Sequence, residues 1–160
     1  MTHSQMLATI DSILDKVDIK YRTYDYENGW VRFVNALDDP RVKFLTLGII
    51  VHEKRLTVYG RFPVHVDSND VETIRAVAEF ICRVNYGLNY GHFDLDPNDG
   101  EIVYTTTISC FDGEAPEEDE IMAVLFATVK VFNRYASGLL SVIYQGEWPK
   151  IAYERSEEND

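Results

Sequence analysis

NDVETIRAVAEFICRVNYGLNYGHFDLDPNDGEIVYTTTIS, Asn69 to Ser109, decides how this chain folds. Asn69 followed three residues on by Glu72 reads as a helix start. Ile74, Val77, Ala78, Ile81, Val84 and Leu88 then recur at helical spacing and form one buried stripe. Tyr86-Gly87-Leu88-Asn89-Tyr90-Gly91 ends that helix. A strand from His92 to Asp96, a tight turn at Asp96-Pro97-Asn98-Asp99-Gly100 and a strand from Glu101 to Cys110 follow. A helix delivered straight into a hairpin points to an α+β fold.

Outward from this centre, Thr2 and Gln5 have capping-box spacing. Met6, Ile10, Ile13, Leu14 and Val17 mark one face of a helix from about Thr2 to Val17. Ile19 to Tyr26 and Trp30 to Leu37 read as strands about an Asn28-Gly29 turn, or as one long bent ribbon. The nearly continuous apolar run Val42 to Val51 suits a central strand. Leu56 to Phe62 is the next, closed by Pro63. After the hairpin, the acidic connection Gly113 to Glu120 leads into a third helix from about Glu117 to Ser137. That helix is open to extension as far as Tyr144, with Gly138 as a kink or break. The ordered part is expected to end near Gly146-Glu147-Trp148-Pro149. The expectation is a single α+β domain over 1–150, order α-βββ-α-ββ-α, with helices on a twisted antiparallel sheet and a flexible acidic tail over 151–160.

The chain's 160 residues suit one domain, and 46% hydrophobic residues suffice for a core without a disulfide or metal. Lysine and arginine number 15 against 27 aspartates and glutamates, a net charge of −12. Such a surface repels phosphate backbones and anionic lipid, so nucleic-acid and membrane partners are not expected. Cys82 and Cys110 sit in apolar patterns and read as reduced core residues. The N-terminus shows no basic-then-apolar targeting pattern, and no apolar run approaches the roughly twenty residues a membrane helix needs. A cytoplasmic location is expected.

The motifs that carry chemistry are absent or incomplete. Asp94-x-Asp96-x-Asn98 suggests a calcium loop, but Asp99 stands where glycine should follow, and the twelfth position is Thr105 rather than glutamate. His3, His52, His65 and His92 show no ligand spacing. Gly-x-Ser-x-Gly and phosphate-loop patterns are missing. No catalytic, metal or cofactor-binding residue is assigned, and no cofactor is expected. Asn85 lies on the buried stripe of the second helix, where an amide is costly unless hydrogen-bonded. It reads as a pin from the helix end to strand or loop backbone. Met122 to Phe132 is apolar around almost the whole third helix, more than one sheet face can cover. The other side calls for the first helix or a second subunit, so a homodimer is expected, with Met122, Phe126 and Val129 as its contact. Tyr21, Tyr24, Tyr26 and Trp30 form a candidate surface for a protein partner, against the plainer reading that they pack on the sheet.

Phe80 to Asp96 resembles the central signature of the YbjN-like family. An asparagine ends the helix, a glycine follows, and an aromatic-plus-acid strand leads into an Asp/Gly turn. Asn85, Gly91, Phe93 and Gly100 are the matching positions, and Gly100 to Thr106 resembles the family's next strand. The resemblance implies a type III secretion chaperone-like fold, often dimeric, in proteins described as bacterial sensory transduction regulators. It assigns structural roles to Asn85, Gly91 and Gly100 and supplies no catalytic residues. The reading is a non-enzymatic, chaperone-like or regulatory protein-binding module whose sheet edge or groove accepts an extended client. The alternatives are a small-molecule or enzymatic site assembled on folding, and a structural subunit of a larger assembly.

Overall fold

The computed structural model describes residues 2–110 and 114–158. Its elements are α1 (His3–Lys16), β1 (Arg22–Asp25), β2 (Trp30–Ala36), β3 (Phe44–Val51), β4 (Arg55–Arg61), α2 (Val71–Gly87), β5 (His92–Leu95), β6 (Ile102–Ser109), α3 (Glu118–Gln145) and α4 (Pro149–Glu158). The strands form one antiparallel six-stranded sheet in the order β1-β2-β3-β4-β6-β5. The α+β architecture agrees with the sequence reading. The element order differs at two points: the first ribbon is two strands, and a fourth helix is added.

Local chemistry sets the boundaries. Thr2 caps α1 in a complete capping box with Gln5. Gly29 at φ +69° closes the β1–β2 turn, and the Asp25 carboxylate accepts the backbone N–H groups of Glu27 and Asn28. α2 starts one residue later than the spacing predicted. Asp70, not Asn69, accepts the N–H and hydroxyl of Thr73, while Asn69 is held in the preceding turn by Asp67. The stripe of α2 also shifts. Val77, Phe80, Ile81 and Val84 are buried, whereas Ala78 is exposed.

Period-two alternation sorts the strands. Phe33, Leu47, Val58 and Tyr104 face the helices and are buried. α3 packs on β4 and β6, α2 on β5, and α1 on β3. At the centre, Phe132 of α3 stacks on Phe62 at 5.7 Å and meets Phe93 edge-on at 5.1 Å.

Two expectations about the C-terminal third are corrected. α3 runs through Gly138 without a break. A Cβ there would lie 2.7 Å from the Phe80 ring and 2.7 Å from Ser156 Oγ, so the glycine admits neighbours rather than kinking the helix. The tail expected from residue 151 is helix α4. Pro149 begins it, where a missing N–H costs nothing, and Ala152 and Ser156 are buried against α2 and α3. Residues 159–160 of that expected tail, and residue 113 of the acidic connection, lie outside the described residues. Cys110 is buried, but Cys82 is exposed rather than in the core, and neither is in a disulfide.

Candidate protein-binding surface

Among the described residues the helices pack on the face of Leu47, Val58 and Tyr104, and the other face of the sheet carries no helix. The register aligns its outward side chains in rows: Trp30, Ile50, Thr57 and Thr107; Arg32, Gly48, Tyr59 and Thr105; Val34, Thr46, Arg61 and Val103. Gly48 has a specific use here. A Cβ at that position would lie 2.2 Å from Tyr59 Cζ, so the phenol ring lies flat across β3 only because the side chain is missing. The Arg32 guanidinium sits 4.6 Å from the Trp30 ring centroid, and Arg61 sits 5.9 Å from that of Tyr59. Arg61 Nε also meets Glu101 Oε1 at 2.5 Å. The result is a shallow hollow of about 370 Å³ floored by aromatic and aliphatic groups.

Its charge differs from that of the chain. Arg32, Arg55 and Arg61 at outward positions nearly offset Asp25, Asp94, Asp96 and Glu101, one excess acid against −12 for the chain. This face is therefore close to neutral while the rest of the surface holds the excess of acid.

Of the residues nominated from sequence, Tyr24 and Tyr26 are brought together, while Trp30 lies on the opposite side of the sheet from Tyr24. Tyr24 points to the helical side and donates its hydroxyl to Asp11, and its ring stacks on Tyr26 at 5.5 Å. Burial and the Asp11 carboxylate push its pKa well above the usual phenol range. Tyr21 is 92% exposed. Trp30 alone lies on the open face. Sequence reading missed Arg32, Ile50, Tyr59, Arg61 and Val103. Their signal was the alternation in Trp30-Val31-Arg32-Phe33 and Val58-Tyr59-Gly60-Arg61, once β2 and β4 are known to be neighbours of β3. On α3, Met122 and Val129 pack partly buried against the core, while Phe126 stands 71% exposed.

Asn85 sits at the end of α2. Its Nδ2 donates to the Phe93 carbonyl at 2.9 Å, and its Oδ1 accepts the Phe93 N–H at 2.8 Å. Gly91 and Gly100 both have positive φ, +63° and +75°. A Cβ at Gly91 would meet the Tyr104 hydroxyl at 2.5 Å, and one at Gly100 the Val66 carbonyl oxygen at 1.8 Å.

The remaining titratable groups that depart from their ordinary values do so for local reasons. Burial raises the Cys110 thiol and lowers His52; burial and Glu157 raise Tyr135. Among the described residues, no group of three His, Cys, Asp or Glu is placed to hold a metal ion. No helix among them is long and apolar enough to cross a membrane.

Residues 29–141 match the YbjN family, described as "Putative bacterial sensory transduction regulator". This chain belongs to the YbjN family. Two solved structures share the YbjN-like fold. One, described as "Crystal structure of YbjN, a putative transcription regulator from E. coli", is 11% identical, covers 96% of this chain and 93% of its own, and superposes with a TM-score of 0.57. The other, an uncharacterized protein from Methanothermobacter thermautotrophicus, is 17% identical over 89% of this chain and 99% of its own, with a TM-score of 0.54. At these identities the likeness shows the fold. No curated protein matches this chain.

Proposed function

We propose that this chain is a non-enzymatic, cytoplasmic regulatory protein that works as a homodimer and acts by binding other proteins. The open face of the sheet is where the second copy packs. One observation carries this: a chain of −12 presents a near-neutral face bearing Trp30, Ile50, Tyr59 and Val103. Two such chains repel one another in most orientations, and least when these faces meet. The area is of the right order. The 38 strand residues of the sheet, at about 3.3 Å rise and about 4.8 Å spacing, give a footprint of roughly 600 Å². A standard interface takes about 800 Å² per partner. The family's description as a regulator and the local, structural causes of each shifted pKa support a role in binding rather than bond-making. The exposed free thiol of Cys82 suits a reducing compartment.

Sedimentation equilibrium at micromolar concentration tests the assembly. The wild type is expected as a dimer and Trp30→Asp as a folded monomer. A wild-type monomer contradicts the proposal. So does a dimer that survives Trp30→Asp and is broken by Phe126→Asp, which would move the interface to α3.

A further inference from the structure

β5 is shorter than the strand it borders. It pairs His92–Leu95 with Thr105–Ile102, and Gly91 at φ +63° then turns the chain away. β6 continues to Ser109 with β4 on one side and, among the described residues, no strand on the other. Two backbone bonds fix the phase of this edge. Phe62 N–H donates to Ile102 C=O and Cys110 N–H to Lys54 C=O, so even-numbered residues of β6 bond to β4. Thr105, Thr107 and Ser109 therefore aim their N–H and C=O groups the other way. Thr105 meets His92; Thr107 lies in the wall of a groove, and Ser109 continues the same edge beyond it.

That groove, of about 470 Å³, lies between the β6 edge and the first turns of α3. Ile108 and Tyr90 line it from the sheet side, Glu120, Ala123, Val124 and Ala127 from the helix. Ala123 and Ala127, one helical turn apart, leave room for a backbone and short side chains. An edge whose donors and acceptors meet no strand among the described residues, beside an apolar wall, is the arrangement that receives an added strand.

Charge selects the occupant. The first turn of α3 carries Glu118, Asp119 and Glu120, preceded by Glu117, and Glu120 is in the groove wall. A second copy pairing edge to edge would bring two such acidic turns together. A basic segment of another protein would meet favourable charge instead. We propose that the groove between β6 and α3 binds an extended, lysine- or arginine-flanked segment of a partner protein as a strand added beside Thr107 and Ser109. This rests on the protein-binding reading and is independent of the sheet-face dimer.

The test is fluorescence anisotropy with a labelled ten-residue peptide of alternating valine and threonine, two lysines at each end, and a counterpart ending in glutamates. The lysine peptide is expected to bind, more weakly as salt rises, and the glutamate peptide at least tenfold more weakly. Thr107→Pro removes an N–H that β4 does not use, and Ala123→Trp fills the groove from the helix side. With circular dichroism unchanged, each is expected to weaken the lysine peptide at least tenfold, while Tyr144→Ser, exposed near the other end of α3, binds like wild type. Failure of the lysine peptide to bind, equal binding of both peptides, or wild-type affinity in both groove variants overturns the inference. Loss of self-association in Ala123→Trp, which leaves the open face untouched, also overturns it, by giving the groove to a second copy. Peptide binding that only Trp30→Asp abolishes leaves the protein-binding reading standing and removes this site.

Discussion

The side-chain amide of Asn85 holds the backbone of Phe93 from both sides, donating to its carbonyl at 2.9 Å and accepting its N–H at 2.8 Å. It does for β5 what a neighbouring strand would do, and so ties the end of α2 to the sheet. The ring it positions meets Phe132 at 5.1 Å and Tyr104 at 5.3 Å in the central aromatic cluster. Asn85→Ala leaves both groups of Phe93 without this partner. The expected cost is about 1–3 kcal/mol in urea unfolding. Asn85→Asp, which keeps the acceptor but turns a carboxylate oxygen toward the Phe93 carbonyl, is expected to cost at least as much as Asn85→Ala. A wild-type midpoint for Asn85→Ala would remove this role.

Gly138 offers a second test. In an exposed helix, Gly→Ala gains about 1 kcal/mol in propensity. Here the new methyl must displace Phe80 and Ser156, each 2.7 Å from the Cβ position, and overpacking costs about 1–3 kcal/mol. The net expectation is destabilisation, with hydrogen exchange rising first in α4, which supplies Ser156. A stabilised Gly138→Ala would show that α4 docks loosely.

Asp18 has φ +61°, the left-handed region, where the chain leaves α1. Its N–H donates to Asp15 C=O at 3.1 Å, and the next N–H, that of Ile19, reaches back to Leu14 C=O at 3.1 Å. An aspartate pays a conformational cost that glycine does not. Asp18→Gly is expected to raise stability by up to about 1 kcal/mol, net of its exposed pairing with Lys20. A fall in melting temperature would mean that the pair outweighs the backbone.

His52 sets a pH dependence. Burial first, then Arg55 and His3, hold its pKa below the ordinary imidazole value of about 6.5. The folded state therefore favours the neutral ring, and the unfolded chain takes up the proton first as pH falls. The resulting contribution is present above about pH 6.5 and declines below it, until the folded-state pKa is passed. Melting curves between pH 7.5 and 5 are expected to show a fall that is smaller in His52→Gln. A His52 proton resonance titrating at or above the ordinary value would contradict this.

Legibility in the sequence followed the range of the interactions. The capping box of Thr2 and Gln5, the Asn28-Gly29 turn and the position of Asn85 are local patterns, and each was visible. Gly138 was misread because its need for no side chain comes from Phe80 and Ser156, distant in sequence. The α4 helix was missed because its polar residues suggested a solvated tail. The Pro149 start was the available clue, and burial of Ala152 and Ser156 depends on α2 and α3 being in place. The open face could not be seen in one strand. Trp30, Gly48 and Tyr59 become neighbours only through the β2–β3–β4 register.

The central claim, that two copies meet through the open sheet face, is tested most directly by tryptophan fluorescence. The chain has two tryptophans, Trp30 and Trp148, so Trp148→Phe leaves Trp30 as the sole reporter. On dilution from micromolar to nanomolar concentration, Trp30 emission is expected to shift to the red and iodide quenching to increase as the faces part. Emission and quenching that stay constant while sedimentation shows the dimer dissociating would place the interface elsewhere.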